Sequence, residues 1–180
     1  RYHQEAPRLA RRASSAALTD AGVRADRVTH LITVSCTGFE APGCDIALIK
    51  QLPLRPNVTR THIGFMGCHG AFNGMQVARA FAEARAGAVV LLCAVELCSL
   101  HFHYGWDPQQ IVANALFADG AAALVGVTSV DSVASANRRW KVSANGSCIL
   151  PQSEDAMTWK IGDHGFVMTL SSRVPDLFQT

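Results

Sequence analysis

The most apolar stretch of the chain, Ala88-Val-Val-Leu-Leu-Cys-Ala-Val-Glu-Leu97, reads as a β-strand buried on both faces. A strand of that kind needs apolar cover above and below, which limits the chain to a sheet sandwiched by helices. The rest of the sequence supplies both. An amphipathic helix is predicted over 7–22, with Pro7 in its first turn and Gly22 at its C-terminal stop. A buried strand follows at His30–Ser35, a short helix at Asp45–Gln51 and a second strand at Thr59–Phe65. A longer Ala-rich helix runs from Ala71 to about Ala86, a short helix spans about 108–117, and a turn leads to another buried strand within Phe117–Gly126. The order β–α–β–α–β implies helices on a mostly parallel or mixed sheet, an α/β class.

Where the second of these strands hands over to the Ala-rich helix, the chain reads Gly64-Phe-Met-Gly-Cys68-His-Gly70. A cysteine on a strand-to-helix elbow lies at a helix N-terminus, where unpaired N–H groups and the macrodipole favour an anion. Cys68 is therefore poised to act as a thiolate nucleophile. Gly64, Gly67, Gly70 and Gly74 permit sharp backbone angles and close approach of a substrate. The residues alone leave the alternative of a buried structural cysteine in a glycine-rich turn. Cys36-Thr-Gly-Phe-Glu-Ala-Pro-Gly43 leaves the first strand at its C-terminal end, where ligand groups collect in open α/β sheets.

The 180 residues suit about one domain with a sizeable core. With 17% charged residues, a net charge of +2 and no basic cluster beyond Arg8, Arg11 and Arg12, nothing argues for nucleic acid. No apolar run is long enough to span a bilayer. Six cysteines without a CxxC pair, mostly inside apolar runs, read as reduced thiols in a reducing, cytoplasmic setting. Cys98, His101 and His103 lack the further ligand pair of a metal site, so no metal is expected. Asn57-Val-Thr59 and Asn145-Gly-Ser147 match a glycosylation pattern that would be idle there. The first residue is Arg1 rather than Met, and a helical turn begins near Val174-Pro-Asp-Leu-Phe178, so a piece of a longer protein is expected.

Beyond Val127 the texture changes. Thr128–Asn137 reads as a connector, Arg138–Leu150 and Ala156–Leu170 as two strands, and a helix begins from Ser171.

At Gly64-Phe-Met-Gly-Cys68 and Ala115-Leu-Phe-Ala-Asp-Gly-Ala-Ala-Ala-Leu124 the chain resembles type III polyketide synthases, the chalcone-synthase-like branch of the thiolase superfamily. Cys36–Gly43, Val95-Glu-Leu-Cys-Ser99 and Trp159-Lys-Ile-Gly-Asp-His-Gly-Phe166 leading to Val174-Pro175 extend the resemblance through essentially the whole chain. The texture is closer to bacterial and fungal alkylpyrone and alkylresorcinol synthases than to plant chalcone synthases.

The resemblance implies a thiolase-like αβαβα layered fold, with residues 1–130 as most of the N-terminal half and 131–180 as the start of the C-terminal half. It implies that Cys68 carries the acyl chain and that Phe117 gates the junction of coenzyme A tunnel and cavity. Read without the family, Phe117 is a core residue. Thr37, Ala41 and Cys98 match positions lining a tunnel for long acyl chains, His101 falls on the cavity wall, and Trp159 and Met168 shape its floor. Where plant relatives carry a methionine that reaches across the dimer, Ala41 leaves volume for a long apolar chain. The family's catalytic histidine and asparagine match no residue up to Thr180, so this segment alone is expected to be inactive.

The implied chemistry is iterative decarboxylative condensation of malonyl-CoA onto an acyl-CoA starter held on Cys68. Its substrates are coenzyme A thioesters, its implied assembly a homodimer, and it needs no further cofactor. Alternatives are a ketoacyl-(acyl carrier protein) synthase III-like or hydroxymethylglutaryl-CoA synthase-like condensing enzyme, or a non-catalytic thiolase-like fragment.

Overall fold

β1 (His30–Ser35) is built of alternating β-branched and apolar residues, and every position from Leu31 to Ser35 is buried. Successive side chains point to opposite faces, so Ile32 and Val34 share one side and Leu31, Thr33 and Ser35 the other. β1 runs parallel to β2 (Thr59–Gly64) and to β3 (Val89–Leu97), with His30 opposite Thr59 on one side and Val90 on the other. With β4 (Asp119–Val127) the strand order is β2-β1-β3-β4. The computed structural model describes residues 1–128, 140–163 and 165–177.

One face of this sheet carries Ile32, Val34, Val90 and Leu92, and α3 (Gly70–Ala84) covers it with Ala78 and Ala82, flanked by Met75, Val77 and Phe81. The buried stripe of α3 is Gly70, Gly74, Ala78 and Ala82, a four-residue repeat of small side chains that brings the helix backbone close to the sheet. A Cβ on Gly74 would stand 2.7 Å from Leu92 Cδ1 and 3.2 Å from Val34 Cγ2, and one on Gly70 would stand 2.9 Å from Val34 Cγ1. α1 (Tyr2–Ala21) and α2 (Cys44–Gln51) pack against each other, and the Cys93 thiol donates to the Ala10 carbonyl at 3.7 Å, which places α1 on the opposite face. These helix, sheet and helix layers form the first of two compact units, Arg1–Glu96 with Gly120–Asn145. The α/β class read from the sequence is the one found.

The second unit comprises Leu97–Asp119 and Gly146–Thr180. It contains a 3-10 turn at Cys98–His101, α4 (Pro108–Leu116), an antiparallel hairpin of β5 (Met157–Gly162) and β6 (Gly165–Leu170), and α5 (Val174–Leu177). Asp107 caps α4 by accepting from the Gln110 amide, and α4 packs on β6.

Four sequence expectations need correction. Helix α1 begins at Tyr2, so Pro7 lies inside it rather than in its first turn. Ala6, Pro7 and Ala10 are buried, and the Tyr2 hydroxyl donates to Ser35 Oγ at 2.7 Å; these contacts hold an extra turn that the proline alone would discourage. Gly22 does stop the helix, at φ 64°. β4 is half-exposed rather than buried, because it is the end strand of the order β2-β1-β3-β4. Residues 140–150 form no strand; the two strands both come from 157–170, which turns back at Gly162–Gly165 and pairs with itself. The predicted connector past Thr128, together with Arg138, Arg139, His164 and 178–180, lies outside the described residues.

The tight seat of α3 sets an expectation for stability. Gly74→Val is expected to lower the free energy of unfolding by about 1–3 kcal/mol through overpacking against Leu92 and Val34, measured by urea denaturation. Gly105→Ala, whose Cβ would meet nothing within 4 Å, should stay within about 0.5 kcal/mol.

Candidate functional site

β2 ends at Gly64, and the chain reaches α3 through Phe65, Met66 and a 3-10 turn at Gly67–His69. Two of these residues have positive φ, Phe65 at 55° and Gly67 at 60°. Gly67 needs its freedom there, and a bulky aromatic such as Phe65 is rare in that region, where it costs about 1–3 kcal/mol. Cys68 stands exposed at the turn, with Gly70 opening α3 two residues later. Phe39, Phe65, Met66 and Phe72 are exposed apolar side chains of the same unit; the rings of Phe39 and Phe65 are 6.0 Å apart, and His69 lies 6.0 Å from Phe72.

The end of β1 is organised by one carboxylate. Glu96, near the end of β3, accepts from the Cys36 amide at 2.9 and 3.0 Å through its two oxygens. Its Oε2 also accepts from the Thr37 amide at 3.0 Å, the Thr37 hydroxyl at 2.6 Å and Ser35 Oγ at 3.4 Å. Tyr2 extends the chain of donors through Ser35. The Cys36 thiol in turn donates to the carbonyl of Gly67 at 3.7 Å, directly before Cys68. Burial, and then the charge of Glu96, push the Cys36 thiol up from its ordinary value. Burial, the largest cause, likewise pushes Tyr2 up to about 12. Cys44 reaches about 12 by burial and then by Cys93.

In the second unit the imidazole of His101 stacks on Phe166, with centroids 4.3 Å apart and planes 9° apart, and meets Trp159 edge-on at 5.2 Å. Its Nδ1 accepts from the Phe166 amide at 3.1 Å, which places the proton of a neutral ring on Nε2. Met168 faces Trp159 across the hairpin and its carbonyl accepts from Gln110 Nε2. Phe117 caps α4, half-buried, its amide donating to the Ala113 carbonyl at 3.0 Å.

The structure thus gathers the sequence-predicted residues into two groups. Thr37 is buried at the end of β1, where its neighbour Cys36 touches the Cys68 turn, and Ala41 is exposed in the following loop beside a cis peptide to Pro42. Cys98, His101, Trp159, Met168 and Phe117 belong to the second unit. Three residues escaped the sequence reading: Glu96, Cys36 and Phe166. Glu96 had a signal, since it is the single charge inside the most apolar strand, and a charge there needs donors. Cys36 and Phe166 lay within stretches the sequence reading singled out, but nothing in either residue type pointed to its contact with Gly67 or with His101. Among the described residues no three His, Cys, Asp or Glu side chains cluster to hold a metal ion.

Comparison with known proteins gives a consistent picture. Residues 2–129 match the family of chalcone and stilbene synthases, N-terminal domain. Over 175 residues the chain is 32% identical to the alpha-pyrone synthesis polyketide synthase-like Pks18 of Mycobacterium tuberculosis, covering 97% of this chain and 44% of that one. The Pks18 of Mycobacterium bovis matches to the same extent. Among solved structures, the C-terminal type III polyketide synthase domain of Steely1, a type I/III hybrid from Dictyostelium, superposes with a TM-score of 0.88 at 29% identity, covering 98% of this chain and 48% of that one. The fold is therefore thiolase-like, and the chain spans about half the length of the relatives it matches.

Two measurements test this geometry. His101→Ala removes the acceptor of a buried amide and is expected to cost about 1–3 kcal/mol, read as faster hydrogen exchange at Phe166; His101→Asn should recover part of the protection. The raised Tyr2 and Cys44 values favour the neutral groups in the folded chain. Their stabilisation is complete below the unfolded values of 10.0 and 9.0 and is lost as pH rises toward about 12. Thermal midpoints should fall between those limits, and less steeply in a Tyr2→Phe, Cys44→Ala double variant.

Proposed function

The chain belongs to the chalcone and stilbene synthase family, whose N-terminal domain it matches over residues 2–129, and from that premise we propose that its protein is a type III polyketide synthase extending an acyl-CoA starter on Cys68. The observation that carries this reading is the exposed Cys68 on the strained turn between β2 and α3, at the N-terminal end of a helix that favours negative charge.

In the proposed cycle the Cys68 thiolate attacks the carbonyl of an acyl-CoA; a carbon–sulfur bond forms and coenzyme A leaves as its thiol after taking up a proton. Malonyl-CoA loses carbon dioxide, and its enolate carbon attacks the acyl carbon on Cys68. A carbon–carbon bond forms, the bond to Cys68 breaks, and the thiolate returns for the next round. Backbone N–H groups at the start of α3 support the oxyanion, with the histidine and asparagine of the family supplied by residues outside this segment. Phe117 separates the coenzyme A passage from the cavity in this scheme.

A long-chain fatty acyl starter and an alkylpyrone or alkylresorcinol product are the finer part of the proposal. They are supported by the likeness to Pks18, whose name carries alpha-pyrone synthesis, and by the small side chains at Thr37, Ala41 and Cys98. His101 and Trp159, gathered with Phe166 into one aromatic cluster of the second unit, stand at positions that the family resemblance assigns to the cavity wall and floor. A homodimer and a cytoplasmic setting are proposed with the same family in view, and no cofactor beyond coenzyme A thioesters enters the scheme. Among the described residues no helix is long and apolar enough to cross a membrane.

The decisive variant is Cys68→Ala in the full chain. Incubation with a fatty acyl-CoA should add one acyl mass to the parent protein and none to the variant. An acyl adduct of equal yield on the variant would overturn the assignment of the nucleophile.

A further inference from the structure

We propose that Glu96 is a positioning residue for Cys68, acting through Cys36; the proposal rests on Cys68 being the group that is acylated. Glu96 is the only charge within β3, and its carboxylate is surrounded by donors from a single short stretch, Ser35 to Thr37. Holding a loop is a common use of such a carboxylate. What distinguishes this one is the far end of the chain it starts. Cys36 is clamped at its amide by both Glu96 oxygens, and its thiol reaches across to the Gly67 carbonyl at 3.7 Å. Gly67 and Phe65 are the two residues of the elbow with positive φ, so the turn that presents Cys68 needs support from outside itself. Cys36 supplies it at the peptide unit joining Gly67 to Cys68.

The proton of Cys36 matters to this arrangement, because a carbonyl oxygen can only accept. Burial and the Glu96 charge raise the Cys36 thiol, outweighing the backbone of Gly67, Met66 and Phe65, which lowers it, so the thiol form that donates to the Gly67 carbonyl is favoured. The two thiols thus have different duties. Cys36 is buried and holds the turn, and Cys68 is exposed upon it. Tyr2 extends the network through Ser35, whose hydroxyl donates to the same carboxylate.

The test uses the full chain and two reagents at Cys68, dodecanoyl-CoA read by rapid-quench intact mass and iodoacetamide read by peptide mass spectrometry. Glu96→Gln turns an amide N–H₂ toward the Cys36 and Thr37 amides. Cys36→Ala removes the donor to Gly67, and Cys36→Ser restores one. The maximal rate of loading and the rate of alkylation are expected to fall about tenfold in Glu96→Gln and Cys36→Ala, with the half-saturating acyl-CoA concentration unchanged. Cys36→Ser should return to within about threefold of the parent, and the Glu96→Gln, Cys36→Ala pair should lose little more than either alone. Parent-like rates at Cys68 in a folded Cys36→Ala protein would overturn the proposal, even where Glu96→Gln does not fold. If the parent takes no acyl group at Cys68 while alkylation still responds to both variants, the reaction assigned above fails and the positioning role stands.

Discussion

The close seat of α3 on β1 and β3 is the constraint from which the rest of the first unit follows. Gly70 and Gly74 meet Val34 and Leu92 without room for a Cβ, so the first turn of the helix is pressed onto the sheet. The chain leaving β2 at Gly64 then has only five residues in which to reverse direction and begin α3 at Gly70. That shortage of chain is what forces positive φ on Phe65 and Gly67 and leaves Cys68 standing out of the turn. Sheet packing, backbone strain and exposure of a nucleophilic side chain are thus successive consequences of one contact.

A second constraint comes from the interior. β3 carries a carboxylate in an otherwise apolar run, and burial of such a group is tolerable only where donors converge on it. The end of β1 supplies them from Ser35, Cys36 and Thr37. The parallel register of β1 and β3, which sets Val34 beside Ala94, brings the two strand ends together. The polar network therefore depends on the same apolar register as the core, and it touches the elbow through the Cys36 thiol at the Gly67 carbonyl.

Much of this is legible in the amino-acid sequence alone. The apolar runs at His30–Ser35 and 88–97, the Ala-rich helix and the Gly22 stop follow from side-chain periodicity and glycine chemistry, which are local. The position of Cys68 at the strand-to-helix handover is legible too, whereas its exposure is not, since a buried cysteine in a glycine-rich turn fits the residues equally. What could not be read was set by distant partners. Tyr2 carries α1 past Pro7 because Ser35, far along the chain, accepts its hydroxyl. The alternation after Arg138 looked like a strand, yet the segment 157–170 found its partner within itself and left 140–150 without one in regular structure. Glu96 was visible as a lone charge, but the donors that give it meaning lie sixty or so residues earlier. His101 could be named from the family resemblance, whereas its stacking on Phe166 required the hairpin.

One sulfur among six is set apart by its position on the turn. Timed alkylation of the full chain with limiting iodoacetamide, with and without saturating dodecanoyl-CoA, compares all six cysteines in one experiment. Cys68 is predicted to label well ahead of Cys148, the other exposed thiol, and to be protected when acyl-CoA is present. Labelling of Cys68 no faster than Cys148, or indifferent to acyl-CoA, would contradict its assignment as the nucleophile.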